Sequence, residues 1–360
     1  MKKSLFIALA LLIQLAFSVV FSVPYIVPSG TGTSGDPYLI ASYANLQWVA
    51  YQVNSQNNPF GDKYLKQTAD IVIPDGVEWT PIGLYPNSEF RGNYNGSSHT
   101  ISGITITNTE LNSFGLFGAI GRFSNISNLG VINVNINVPS RSLVGGIAGI
   151  VTTGEMYFCY TTGSLSGGAC VGGIAGATNA PSGASYLQYC YSTATIEMNN
   201  NNQTGSSAGN FGFGGLVGSN SANCWVVDCY SRGTVSGYSK TGGLVGYNLG
   251  GILQCYSTGA VTGTLNVGGL VGDGYMTPAS SDFDQFGNPV YIPAQPTGAV
   301  VKYCFWDSQT SGKNQDSGSE AFPEYVYETN SASYNVGGWD IQSRDVSIQK
   351  LGAKASTTSN

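Results

Sequence analysis

Apolar side chains in most of this chain come in short runs, each closed by glycine or small polar residues. Ile252 to Ser257, Ala260 to Thr262 and Val267 to Val271 make one such set, with glycine-bearing corners between them, the pattern expected of strands and turns. No run of this length can bury a face alone, yet stacked copies enclose a core between three parallel sheets. The pattern therefore predicts an all-β chain, a right-handed parallel β-helix (β-solenoid) with a short N-terminal capping helix. A propeller blade needs four strands in roughly 40 residues, and the period here, about 26 residues, is too short.

Repetition sets that period. Five near-copies of one hexapeptide stand at Val144-Gly-Gly-Ile-Ala-Gly149, Val171-Gly-Gly-Ile-Ala-Gly176, Phe213-Gly-Gly-Leu-Val-Gly218, Thr241-Gly-Gly-Leu-Val-Gly246 and Val267-Gly-Gly-Leu-Val-Gly272, spaced 27, 42, 28 and 26 residues apart. Between them runs a second motif, cysteine then an aromatic residue: Cys159-Tyr160, Cys190-Tyr191, Cys229-Tyr230, Cys255-Tyr256 and, more diverged, Cys304-Phe305. Helical spacing occurs at Ser42 to Asn54, with Ser42 as N-cap and Leu46, Val49, Ala50 and Val53 on one face. This helix is expected to cap the solenoid, whose end would otherwise expose unpaired strands.

The resulting division is 1–22 signal peptide, 23–63 N-terminal cap, 64–137 irregular β-helix coils, 138–312 repeat coils, and 313–360 C-terminal cap and polar tail. Lys2 and Lys3 precede the apolar run Leu5 to Val20, and Val20-Phe21-Ser22 offers a cleavage site. An uncleaved segment would instead be the membrane attachment. Composition agrees with strands and export: 50 glycines, 9% charged residues and a net charge of -6. With 14 basic residues, 20 acidic and no basic stripe, a nucleic-acid partner is excluded.

The repeats resemble the GLUG-motif proteins in their Gly-Leu-any-Gly core, present as Gly215-Leu-Val-Gly218, Gly243-Leu-Val-Gly246 and Gly269-Leu-Val-Gly272. Gly35-Asp-Pro-Tyr-Leu-Ile40, Phe90 to Ile101, Cys304 to Gly312 and Gly338-Trp-Asp340 resemble the sequences flanking such repeats, so the likeness spans about residues 30 to 342. It implies a secreted or cell-surface bacterial or archaeal β-solenoid, often adhesive. Some relatives carry the motif beside an immunoglobulin A metallopeptidase domain. That chemistry needs His-Glu-x-x-His, and His99 is this chain's single histidine.

Two features could carry chemistry. Cys159, Cys190, Cys229, Cys255 and Cys304 share one column, and strand spacing of about 4.8 Å falls within disulfide reach. A disulfide column, a metal-binding column and a ladder of inert buried thiols are the three readings. Strand parity leaves their direction open, since Val226, Ile252 and Val301 share parity with the aromatic after each cysteine rather than with the cysteine. Those aromatics make a core ladder if they face inward, which is the expectation, and a sugar-stacking strip if outward.

The corner after each hexapeptide is short in most coils, long at Ala177 to Tyr186 and longest at Asp273 to Ala299. Such insertions cluster on one edge. Tyr275, Asp282, Phe283, Asp284, Phe286 and Tyr291 in the longest are the predicted ligand-binding residues, suited to carbohydrate or an ordering Ca2+. No catalytic residue and no other cofactor is expected.

The expected function is an exported, non-catalytic adhesin or scaffold at the cell surface, contacting an extracellular partner such as polysaccharide. One alternative is a polysaccharide-degrading β-helix enzyme, which needs clustered carboxylates on adjacent coils. Another is ice or surface binding through Thr162, Thr193 and Thr258.

Overall fold

The computed structural model of the protein describes residues 25–199, 211–274, 280–283, 289–292, 300–302, 304–312 and 326–329. The predicted signal segment, residues 200–210 and most of 313–360 lie outside them.

The chain winds as a parallel β-solenoid. One sheet has nine strands, from Tyr38–Ile40 through Tyr64–Gln67, Asn93–Asn95, Asn125–Ser127, Glu155–Tyr157, Ser185–Gln188, Cys224–Val227 and Gly251–Leu253 to Val300–Lys302. A thirteen-stranded sheet follows round the next corner, and a five-stranded and a six-stranded sheet close the circuit. The three expected sheets are therefore four. The run Val267–Val271 contributes to two strands, Leu265–Gly268 and Val271–Gly274, each in its own sheet. Between them Leu270, like Ile147, Ile174, Leu216 and Leu244 before it, turns fully into the core.

That corner explains the second glycine of each hexapeptide. At Gly146 a Cβ would stand 2.7 Å from Gly173 O and closer still to Thr161, and at Gly173 and Gly215 it would collide with Ser192 and Ser231. Thr161, Ser192, Ser231 and Ser257 are the residues that follow each aromatic of the second motif, and all are fully buried. The two motifs that repeat in sequence are thus the two sides of one contact across the core, and only a bare backbone fits between them.

Register begins upstream of residue 138. Phe117–Ile120 pairs with the strand Ala148–Thr152, Asn125–Ser127 with Glu155–Tyr157, and Gly130–Asn137 with Tyr160–Gly167. Phe114-Gly-Leu-Phe-Gly118 takes the hexapeptide's place one residue short, with Phe114 bridged to Val144.

The predicted helix is observed as α1, Tyr43–Ser55, with Ser42 as its N-cap in extended backbone and the Ser42 hydroxyl accepting from Asn45 N at 3.3 Å. Asn45 in turn donates to Ile26 O at 2.9 Å, tying the incoming chain down. Leu46, Trp48, Val49 and Val53 are buried. The Trp48 ring meets Phe60 at 5.4 Å between centroids, Phe60 meets Phe90 at 6.1 Å, and Phe90 meets Phe117 at 5.0 Å. This chain of rings joins the cap to the coils in one core. Beyond it, Ile126, Met156, Leu187, Val226, Ile252 and Val301 stack in register as a buried column.

Candidate functional site

The residue before each of the first four column cysteines takes left-handed backbone: Phe158 at φ 55°, Tyr189 at 57°, Asp228 at 51° and Gln254 at 55°. This kink decides what strand parity left open. It returns Cys159, Cys190, Cys229 and Cys255 to the interior three residues after Met156, Leu187, Val226 and Ile252, and all are fully buried, as is Cys304.

The seven cysteines are free thiols rather than bridges. Cys229 Sγ lies 3.2 Å from Val227 O and 3.4 Å from Leu187 O one coil back, and Cys255 Sγ lies 3.1 Å from Leu253 O and 3.5 Å from Val226 O. Every copy therefore points the same way, at carbonyls. Successive thiols of the column also meet one another, Cys190 between Cys159 and Cys229, and Cys255 between Cys229 and Cys304. Burial raises the thiols of Cys159, Cys229 and Cys255, and pushes Cys170 and Cys224 up to about 11. These five raised thiols are neutral packing groups, whereas Cys190, against the burial that would raise it, is held low by hydrogen bonds from Cys159 and Cys229.

The same kink sends the flanking aromatics outward. Tyr160, Tyr191, Tyr230 and Tyr256 form a ladder with successive centroids 4.8–5.1 Å apart and planes 3–7° from parallel. The expected core ladder holds for Tyr230, Tyr256 and Phe305, which are buried in a cluster separate from the main core, with the partly buried Tyr189 and Tyr191 packed against it. Tyr230 and Tyr256 are buried, while Tyr160 and Tyr191 are half-buried. Beside them Phe158 and Tyr189 stack at 4.8 Å and 12°, with Phe158 47% exposed.

On the neighbouring outward face of the nine-stranded sheet stand Tyr157, Tyr186 and Trp225, all half-buried, with Tyr186 and Trp225 in direct register. Seven rings from three successive coils therefore line one strip. Its carboxylate, Glu155, precedes Tyr186 in the same column. Burial first, then Glu155, pushes the Tyr157 hydroxyl up to about 12, and burial followed by Tyr160 does the same for Tyr191. At neutral pH these hydroxyls are intact donors.

The predicted loop site falls largely elsewhere. Tyr275, Asp284 and Phe286 lie outside the described residues. Asp282, Phe283 and Tyr291 sit on a two-stranded antiparallel hairpin, Ser280–Phe283 with Pro289–Ile292, whose backbone alone is described. The loop's first residue, Asp273, is 3.6 Å from Lys240 Nζ, and that ammonium lies 4.2 Å over the Tyr247 ring. The threonine column proposed for ice is broken by the exposed Arg232 between Thr193 and Thr258.

Sequence reasoning missed Tyr157, Phe158, Tyr186, Tyr189 and Trp225. Their signal was present: Tyr-Phe-Cys-Tyr at 157–160 and Tyr-Cys-Tyr at 189–191 put rings on both sides of an inward cysteine.

No family model matches the chain. It is 36% identical over 127 residues to a provisionally named Gly-rich membrane protein of Evansella cellulosilytica, covering 33% of this chain and 14% of that protein. Over 158 residues it is 29% identical to halomucin of Haloquadratum walsbyi, covering 42% of this chain and 2% of that one. The chain thus spans a small fraction of the curated relatives it matches. Among solved structures it superimposes on a Bacteroides ovatus protein provisionally named an immunoglobulin A1 protease, with a TM-score of 0.60, 20% identity, and 86% of this chain and 88% of that one covered. At that identity the likeness shows the fold, a β-solenoid, and nothing of the chemistry.

Proposed function

We propose that the protein is an exported β-solenoid of the GLUG-motif type, acting without catalysis as a cell-surface adhesin or scaffold that grips carbohydrate through its aromatic strip. The observation that carries this reading is the strip itself. Rings held in parallel pairs at Phe158/Tyr189 and Tyr160/Tyr191 offer pre-set apolar planes flanked by hydroxyl donors, the combination that takes the apolar face and polar edge of a sugar. The membrane protein among the relatives supports a place at the cell envelope. A polysaccharide-cleaving site would instead pair carboxylates about 5–9.5 Å apart, and Glu155 is the carboxylate that this strip presents.

A glycan array probed with the purified protein, read beside Trp225→Ala and Phe158→Ala, tests the proposal. Binding that falls about tenfold in each variant, with the melting temperature held, is the expected result. Turnover of any polysaccharide, or adhesion unaffected by both substitutions, would overturn it.

A further inference from the structure

The outward columns of the nine-stranded sheet continue past the aromatic strip toward the cap. Tyr64, Asn93, Asn125, Glu155, Tyr186 and Trp225 follow one another in strict register, one per coil. A parallel column two residues on reads Lys66, Asn95, Ser127, Tyr157 and Gln188. At the cap end these residues line a cleft of about 280 Å3, bounded by Tyr64, Lys66, Asn93, Asn95, Asn125 and Ser127. Tyr64 is 40% exposed, and Asn95 and Lys66 are exposed beside it.

The amides in the cleft are held in place by the protein. Asn95 Oδ1 accepts from Ser97 N at 2.8 Å and from Asn128 Nδ2 at 3.2 Å, and Asn93 Nδ2 reaches Lys63 O at 3.4 Å. Among the described residues, these contacts leave the Asn95 amide donors and the Asn93 carbonyl for a ligand. Five steps of about 4.8 Å separate Tyr64 from Trp225, roughly 24 Å of continuous face. Charge along it is sparse, with Lys66 and Glu155 on strands three coils apart. A polyanionic glycan would call for clustered Lys and Arg, which these two columns lack.

We infer that this face holds one neutral, linear polysaccharide chain laid along the solenoid axis, its hydroxyl or acetamido groups read by the Tyr64–Asn95 cleft and its ring faces stacked on the strip from Tyr157 to Trp225. The inference rests on the carbohydrate reading above and adds the substrate class, its direction and a polar subsite. A linear polymer suits a solenoid because both repeat by translation, so each added sugar meets a further rung.

Calorimetric titration with cello- and chito-oligosaccharides, from disaccharide to hexasaccharide, tests it. Affinity should climb at least tenfold between the disaccharide and the hexasaccharide. Trp225→Ala should weaken every length that binds, whereas the exposed pair Tyr64→Ala/Asn95→Ala should weaken the hexasaccharide about tenfold and spare the disaccharide, with both variants melting like the parent. Binding of some glycan with no dependence on length, or a hexasaccharide indifferent to the Tyr64/Asn95 variant, would overturn this inference and leave the adhesive reading standing. Silence toward every glycan on the array would end both.

Discussion

Single residues decide this structure chiefly by what they leave out. Gly215 has no room for a methyl group because Ser231 and the Gly243 carbonyl occupy that space. Gly215→Ala should therefore cost about 1–3 kcal/mol, read as a lower urea midpoint, and an unchanged midpoint would show that the corner has slack. The thiols behave as small apolar groups: all seven should resist alkylation in the native protein and react together on unfolding, and early modification of one would contradict its burial. Tyr157 gives a pH signature. Its hydroxyl titrates near 10 in the unfolded chain and at about 12 in the fold, so the unfolded state loses its proton first. The stability it contributes is fully present below pH 10 and is lost as pH rises from 10 to 12. Glu155→Gln removes one of the groups that raises it, so the Tyr157 ring signals should titrate at lower pH in a spectroscopic titration.

Elements are held by polar groups that hydrophobic patterning does not show. Thr178 Oγ1 donates to Asn220 Oδ1 at 2.8 Å, Asn220 Nδ2 to Asn248 Oδ1 at 2.8 Å, and Asn248 Nδ2 to Gly250 O at 3.0 Å. This buried ladder pins the corner between the six-stranded and nine-stranded sheets over three coils. Asn220→Ala would strand the buried Thr178 hydroxyl and take a donor from Asn248 Oδ1, with an expected loss of about 1–3 kcal/mol, whereas an exposed control such as Ser236→Ala should be silent in the same melt. At α1 the Ser42 cap is a local matter, legible in sequence because a hydroxyl before a helical run has one obvious use. The asparagine ladder was not legible, since its partners lie 28 and 42 residues apart.

At the scale of the molecule, each coil is supported by the next, and the cap terminates the series. Removing residues 25–55 would uncover the strand Tyr64–Gln67, at present paired with Tyr38–Ile40, along with the rings of Phe60 and Phe90. An unpaired parallel edge over an apolar core invites association, so the truncated chain should elute early as oligomers on size exclusion while the parent elutes later as one species. A monomeric, fully folded truncation would show that α1 is dispensable.

The sequence by itself determined the solenoid, its period, its cap and the inward side chains of most strands, because a stacked coil repeats a local pattern and a mismatch in one column is felt by its neighbours. It also pointed to a contact between the hexapeptide and the cysteine motif only as two separate repeats. Tertiary structure alone decided which face the cysteines and tyrosines take. That choice turns on one left-handed residue per coil, Phe158, Tyr189, Asp228 or Gln254, and nothing in a phenylalanine, tyrosine or glutamine announces a positive φ, the aspartate alone being of a type enriched there. Packing of Cys159 and its successors against the core selects that backbone state, and with it the aromatic strip that faces the solvent.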